Sequence, residues 1–152
     1  MTRILVLGGG PAGYVAAGRA AQLGAEVTLV EAREIGGTCL NRGCIPTKAM
    51  VAGAERLHEA RRAAEYGVLV GEVGLDFTAF MARKEAATAQ LRGGVEHLLK
   101  ARKVAVVAGR GTLAGPDRIA LAPGAVLADG RVLPDGGELE GDAVILASGS
   151  EP

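Results

Sequence analysis

Tryptophan is missing from the 152 residues, and aromatic side chains make up only 3%. A core without rings has to come from Ala, Val, Leu and Ile, and the 49% hydrophobic fraction supplies them. Neither sign of charge is in excess: 17 basic residues balance 17 acidic ones. That balance argues against a nucleic-acid or anionic-membrane surface, since both need a basic surplus. No block of like charges marks a tail. No apolar run approaches the roughly 18–20 residues that span a bilayer. A secretory signal is also lacking, because the chain enters its first apolar run, Ile4–Leu7, directly. These absences read as a soluble, cytoplasmic chain with one domain over residues 1–152.

Cysteine is scarce too, with only Cys39 and Cys44 present. In a reducing compartment a disulfide is more often catalytic than structural. No metal site is expected. A structural zinc needs about four ligands, and the two histidines, His58 and His97, lie 39 residues apart. Both read as surface or interface residues, and Met50 and Met81 as core. Glycine is plentiful by contrast: 24 residues, about twice the usual share of roughly 7%.

The glycines punctuate a clear pattern. Arg3–Leu7 reads as a buried strand ended by Gly8-Gly9-Gly10. An Ala-rich helix follows from Pro11 to about Leu23, with Pro in the first turn where its missing N–H costs nothing. Glu26–Val30 reads as a second strand, which completes a βαβ unit with a right-handed crossover. After a loop over 31–37, a mostly helical stretch runs from about Thr38 to Glu65. A connection over 66–76 follows, and then a second long helix over Phe77–Lys103. Gly93-Gly94 inside that helix is unfavourable by about 1 kcal/mol each against Ala, which close packing or a bend would explain. Beyond it the strands are Val104–Ala108, Arg118–Leu121, Ala125–Leu127, Arg131–Leu133 and Ala143–Ala147. The fold class is α/β: a Rossmann-like parallel sheet with helices, a small antiparallel β segment near residues 104–133, and Ala143–Ala147 returning to the main sheet.

Gly8-Gly9-Gly10-Pro11-Ala12-Gly13 fits G-x-G-x-x-G. Gly8 allows the tight turn, Gly10 lets the backbone approach a pyrophosphate, and Gly13 lets helix and strand pack closely. The helix N-terminus offers N–H groups and a positive dipole end to the phosphates. Alone the motif is weak. Here it follows a strand and opens a helix, and Glu31 lies 18 residues beyond Gly13, near the place of a ribose-binding carboxylate. A bland glycine turn beside a solvated Glu is the alternative. The fingerprint does not separate FAD from NAD.

Cys39 and Cys44 stand in Gly36-Gly37-Thr38-Cys39-Leu40-Asn41-Arg42-Gly43-Cys44-Ile45-Pro46-Thr47-Lys48. A structural disulfide, two inert thiols and S-modification sites all compete with a redox role. In a regular helix, residues five apart have Cα atoms roughly 8–9 Å apart, and a disulfide tolerates at most about 7 Å. A disulfide therefore requires a distorted turn, for which Gly43 and Pro46 are suited. A helix N-terminus would also favour a thiolate. Arg42 either biases such a thiolate or is solvated.

GGTCLNRGCIPTK resembles the active-site signature of the class I pyridine nucleotide–disulfide oxidoreductases, most closely their dihydrolipoyl dehydrogenase branch. The resemblance covers the whole chain: GGGPAGYVAA, the second-strand VEA, LRGGVEHLLK, GRGTLAG and a closing DAVILASGSEP. That last block is similar to the family's I-I-A-T-G-S-x-P, with Ser148 in place of the usual Thr.

The resemblance implies FAD as cofactor and Cys39–Cys44 as a redox-active disulfide. Cys44 would be the thiolate nearer the flavin, and Cys39 the interchange thiol that meets the substrate's sulfur. Lys48 would stand by the reduced flavin. Gly37, Thr38 and the loop Gly8, Gly10, Pro11, Ala12, Gly13 would hold the pyrophosphate, and Glu31 the adenosine ribose. Gly111 would pass near the adenine, and Ser148 and Gly149 would lie close to the cofactor. Electrons would move between a dithiol substrate, with a lipoyl group favoured, the disulfide, FAD and NAD. The NAD-binding and dimerisation domains of such an enzyme are not found in these residues. The chain therefore reads as the N-terminal FAD-binding part of a longer homodimeric enzyme, with a possible tie to a 2-oxo acid dehydrogenase complex. A mercuric or glutathione reductase-like enzyme, a non-catalytic flavin-binding module and a plain NAD-binding domain are the alternatives.

Overall fold

The computed structural model describes residues 1–150. Glu151 and Pro152, the end of the closing motif, lie outside the described residues. Strand β1 (Arg3–Leu7), helix α1 (Pro11–Gln22) and strand β2 (Glu26–Glu31) form the βαβ unit that the glycine turn announces. The two strands run parallel, with Ile4 opposite Val27 and Leu7 opposite Val30.

The stretch expected as one mostly helical segment is broken. Helix α2 (Gly37–Arg42) ends at Gly43, and α3 (Cys44–Arg62) restarts at once, closing with a 3-10 turn over Ala63–Tyr66. Gly43 has φ −126° and ψ −103°, which no helix can include. Helix α4 (Phe77–Ala101) opens with Asp76 as its N-cap, whose side chain accepts from the Ala79 N–H at 2.9 Å. A carboxylate at that place satisfies one of the donors a helix start leaves open.

The β region differs from expectation in its pairing. Strand β3 (Ala105–Ala108) belongs to the main sheet, parallel to β2. The separate antiparallel sheet is built instead from β4 (Gly111–Leu113), β5 (Arg118–Leu121) and β8 (Gly137–Glu140), in the order β4-β5-β8. Strands β4 and β8 escape sequence reading because they are short, largely exposed and include Gly and Glu. The hairpin β6 (Ala125–Val126) and β7 (Val132–Leu133) extends the main sheet antiparallel at the β3 edge. Strand β9 (Ala143–Leu146) returns to the main sheet parallel to β1, as expected. The main sheet reads β7-β6-β3-β2-β1-β9.

Alternation along the central strands separates two cores. Val6, Val27 and Leu29 face Ala17 of α1 and Leu99 of α4. Leu5, Val30 and Val107 face Ile119 and Leu121 of the small sheet. The result is three layers, helices, parallel sheet and antiparallel sheet, with the parallel strands covered on both faces as such strands require. Helix α3 contributes no buried residue, so Met50 is exposed, contrary to the core placement expected of it, while Met81 on α4 is half-buried. His58 and His97 are exposed. Gly93 and Gly94 do not pack against anything: nothing lies within 4 Å of where either Cβ would be, and α4 continues through them. No helix among the described residues is long and apolar enough to cross a membrane.

Candidate active site

The C-terminal ends of β1, β2 and β9 meet at one edge of the sheet, where open α/β folds bind ligands. The chain turns there at Gly8, with φ +106°. A Cβ on Gly13 would overlap the Gly8 carbonyl oxygen, so α1 can sit this close to the turn only with glycine at that position. Gly10 differs. A Cβ there would meet only Gly37 Cα, at 3.9 Å, an ordinary contact. Its bare Cα matters on the open side, where it lines a groove. The first turn of α1 has no side-chain cap and no acid, which leaves its N-terminal N–H groups and dipole available to an anion.

Glu31, at the end of β2, braces this turn. Its Oε2 accepts from the Gly9 N–H at 2.6 Å and its Oε1 from the Arg33 N–H at 2.8 Å. Each carboxylate oxygen has a further lone pair for a ligand hydroxyl. The loop after it is tied back by the Gly36 N–H, which donates to the Gly9 carbonyl at 2.8 Å. Gly37 has φ +58°, and a Cβ on it would stand 2.8 Å from Gly10 Cα. The two motifs, far apart in sequence, thus touch through paired glycines.

Cys39 and Cys44 form a disulfide, with Cα atoms 4.8 Å apart. The break at Gly43 brings them inside the limit of about 7 Å that an unbroken helix would exceed. Arg42, between them, is exposed and pairs with Glu34 at 2.8 Å. Its hydrogen bond holds the Glu34 carboxyl below its ordinary pKa; partial desolvation opposes this, and the charges of Arg42 and Arg92 add to it. Asn41 donates to the Ile35 and Gly37 carbonyls, both at 3.0 Å.

These parts surround a groove of about 670 Å³, within the range of about 300–1,000 Å³ usual for cofactor pockets. Of the residues expected at the site, Gly8, Gly10, Pro11, Ala12, Glu31, Gly37, Thr38, Cys39, Gly111, Ser148 and Gly149 line it. Three do not. Gly13 lies behind the turn, where it serves packing. Cys44 and Lys48 sit on the first turns of α3, both exposed, and Cys44 reaches the groove only through its bond to Cys39. Arg33, Arg110, Gly109 and Ser150 line the groove as well and were not singled out in the sequence. Arg33 stands two residues past Glu31, but nothing in a one-dimensional pattern shows that the β3–β4 turn brings Arg110 to the same wall.

Comparison with known proteins agrees with this geometry. A family model described as pyridine nucleotide-disulphide oxidoreductase matches residues 2–152. The dihydrolipoyl dehydrogenase of Bacillus subtilis is 42% identical over 149 residues, 98% of this chain and 31% of its own length. That of Halobacterium salinarum is 44% identical over 152 residues, 99% of this chain and 30% of its own. The crystal structure of LpdA from Mycobacterium tuberculosis superposes with a TM-score of 0.79 at 30% identity, covering 100% of this chain and 32% of that one. The chain spans about a third of the length of these relatives. With motif, fold, disulfide and family model in agreement over its length, the chain belongs to the pyridine nucleotide–disulphide oxidoreductases.

Proposed function

We propose that this chain is the FAD-binding portion of a dihydrolipoyl dehydrogenase-like enzyme, one that passes electrons from a dithiol, dihydrolipoamide, to NAD. The observation that carries the reading is the position of Cys39: it lines the same groove as the glycine turn, Glu31 and Thr38. The groove suits a dinucleotide. It has an uncapped helix start for phosphates, bare glycine backbone beside it, and a carboxylate at the end of β2 where a ribose would lie.

In this reading Gly8, Gly10, Pro11, Ala12, Gly37 and Thr38 hold the pyrophosphate, and Gly13 keeps α1 against the turn. Glu31 accepts from the ribose hydroxyls, and Gly111, Ser148 and Gly149 border the rest of the cofactor. FAD, when bound, supplies the two-electron chemistry that links thiols to NAD. The residues of this chain do the sulfur chemistry. A substrate thiolate attacks Cys39 Sγ, the Cys39–Cys44 bond breaks, and Cys44 leaves as a thiolate. The second substrate thiol then displaces Cys39, which releases the substrate disulfide and leaves both cysteines reduced. Lys48, one turn beyond Cys44, supplies positive charge on that side. A homodimer of the longer enzyme is part of this reading. The names of the relatives support the lipoyl substrate.

The test is to mix the chain with FAD, desalt it, and add dihydrolipoamide without oxygen. Retained flavin absorbance that bleaches in the native chain, but not in Cys39→Ser or Cys44→Ser, is the expected result. Loss of all flavin on desalting would sink the reading.

A further inference from the structure

One hydrogen bond joins α4 to the disulfide loop across 51 residues: Arg92 Nη1 donates to Asn41 Oδ1 at 3.3 Å. Asn41 lies inside the loop that the disulfide closes. Its Nδ2 donates to the Ile35 and Gly37 carbonyls, each at 3.0 Å. The pattern fixes the amide's orientation, because a flipped amide would set its NH₂ against the guanidinium and its oxygen against two carbonyls. Arg92 and the two carbonyls together set which way Asn41 points, Arg92 being the contact that ties the amide to α4, and Asn41 joins the 35–37 loop to α2.

This clamp matters most when the covalent link is gone. Helix α2 has only six residues, far too few to persist alone. Once the Cys39–Cys44 bond is reduced, what holds Cys39 near Cys44 is non-covalent. The Glu34–Arg42 pair is exposed, at 43% and 42%, and such pairs contribute little. The Asn41 bonds are partly buried and tie a residue between the two cysteines to Ile35, Gly37 and Arg92 outside the loop.

We propose that Asn41, tied to α4 by Arg92, is a positioning residue that keeps the reduced cysteines within bonding reach and so sets the disulfide–dithiol equilibrium. The inference rests on the reading that Cys39–Cys44 cycles between these two states. With dithiothreitol, the protein disulfide and the reagent dithiol exchange for the protein dithiol and the cyclic reagent disulfide. One S–S bond breaks, one forms, and two electrons and two protons cross.

The 152-residue chain is equilibrated in dithiothreitol buffers of known ratio, quenched with an alkylating reagent, and weighed to count free thiols. Arg92→Ala should raise the equilibrium constant for reduction about five- to tenfold; tenfold corresponds to a potential about 30 mV less negative. Asn41→Ala should shift it at least as far, and the double variant no further than Asn41→Ala, because Arg92 acts through Asn41. A purely structural role would weaken both redox states alike and leave the constant unchanged. An unshifted Arg92→Ala chain, or additive shifts in the double variant, would overturn the inference. Should Asn41→Ala not fold, Arg92→Ala decides alone. A native disulfide that does not exchange at all would instead refute the redox reading beneath it.

Discussion

Gly93 and Gly94 offer a quantitative check on how α4 is placed. Both lie inside a 25-residue helix, both are exposed, and an added Cβ at either would meet nothing within 4 Å. Neither has the positive φ that would demand glycine. Alanine in an exposed helix interior is favoured over glycine by about 0.8–1.0 kcal/mol. Residues one apart on a helix do not face each other, so the double variant should gain about 2 kcal/mol. For a chain of this size that is a rise in Tm of about 4–8 °C, read by far-UV circular dichroism. Gly53→Ala serves as the contrast. Its Cβ would stand 2.9 Å from Phe80 Cδ2 on α4 and closer still to the next ring carbon, so overpacking of about 1–3 kcal/mol should outweigh the helix gain and lower Tm. A double Gly93, Gly94 variant that is no more stable than the native chain would refute the placement of this face of α4 in solvent.

Further consequences follow from the site and the core. Gly13→Ala should fail to keep α1 on the turn and should lose flavin on desalting, because its Cβ overlaps the Gly8 carbonyl oxygen. Glu31→Gln replaces one accepting oxygen with a donor facing an N–H donor; hydrogen bonds to charged groups are worth about 1.5–3 kcal/mol, and denaturant unfolding should show a loss of that order. The Glu34–Arg42 pair gives a pH effect of known sign. The folded carboxyl titrates below its ordinary 4.5, so the stabilisation is present above that value and lost as pH falls through the lower folded one. Arg42→Gln should bring the Glu34 titration, followed by NMR, up towards 4.5, with a stability change of at most about 1 kcal/mol because the pair is exposed. Thr88 is buried with no hydrogen-bond partner for its Oγ1. Thr88→Val should therefore raise stability by about 1–3 kcal/mol, measured by urea unfolding.

The chain order of amino acids, by itself, determined the βαβ unit, the long helix from Phe77 and the strand character of Ala143–Leu146. Each rests on a local rule: glycine after a strand, apolar residues at helical or alternate spacing, proline at a helix start. It also displayed the glycine fingerprint, Glu31 and the cysteine segment, residues of which line one groove, because each motif is contiguous or regularly spaced. What it left open is whatever depends on contacts between distant residues. The pairing of Ala105–Ala108 with β2 rather than with its neighbours, and the three-stranded sheet that includes Gly137–Glu140, follow from which face each central strand must bury. Only the fold showed that Gly37 meets Gly10, that Arg110 reaches the groove and that Arg92 holds Asn41. No periodicity signals such contacts, because packing of one layer on another, rather than local propensity, brings those residues together.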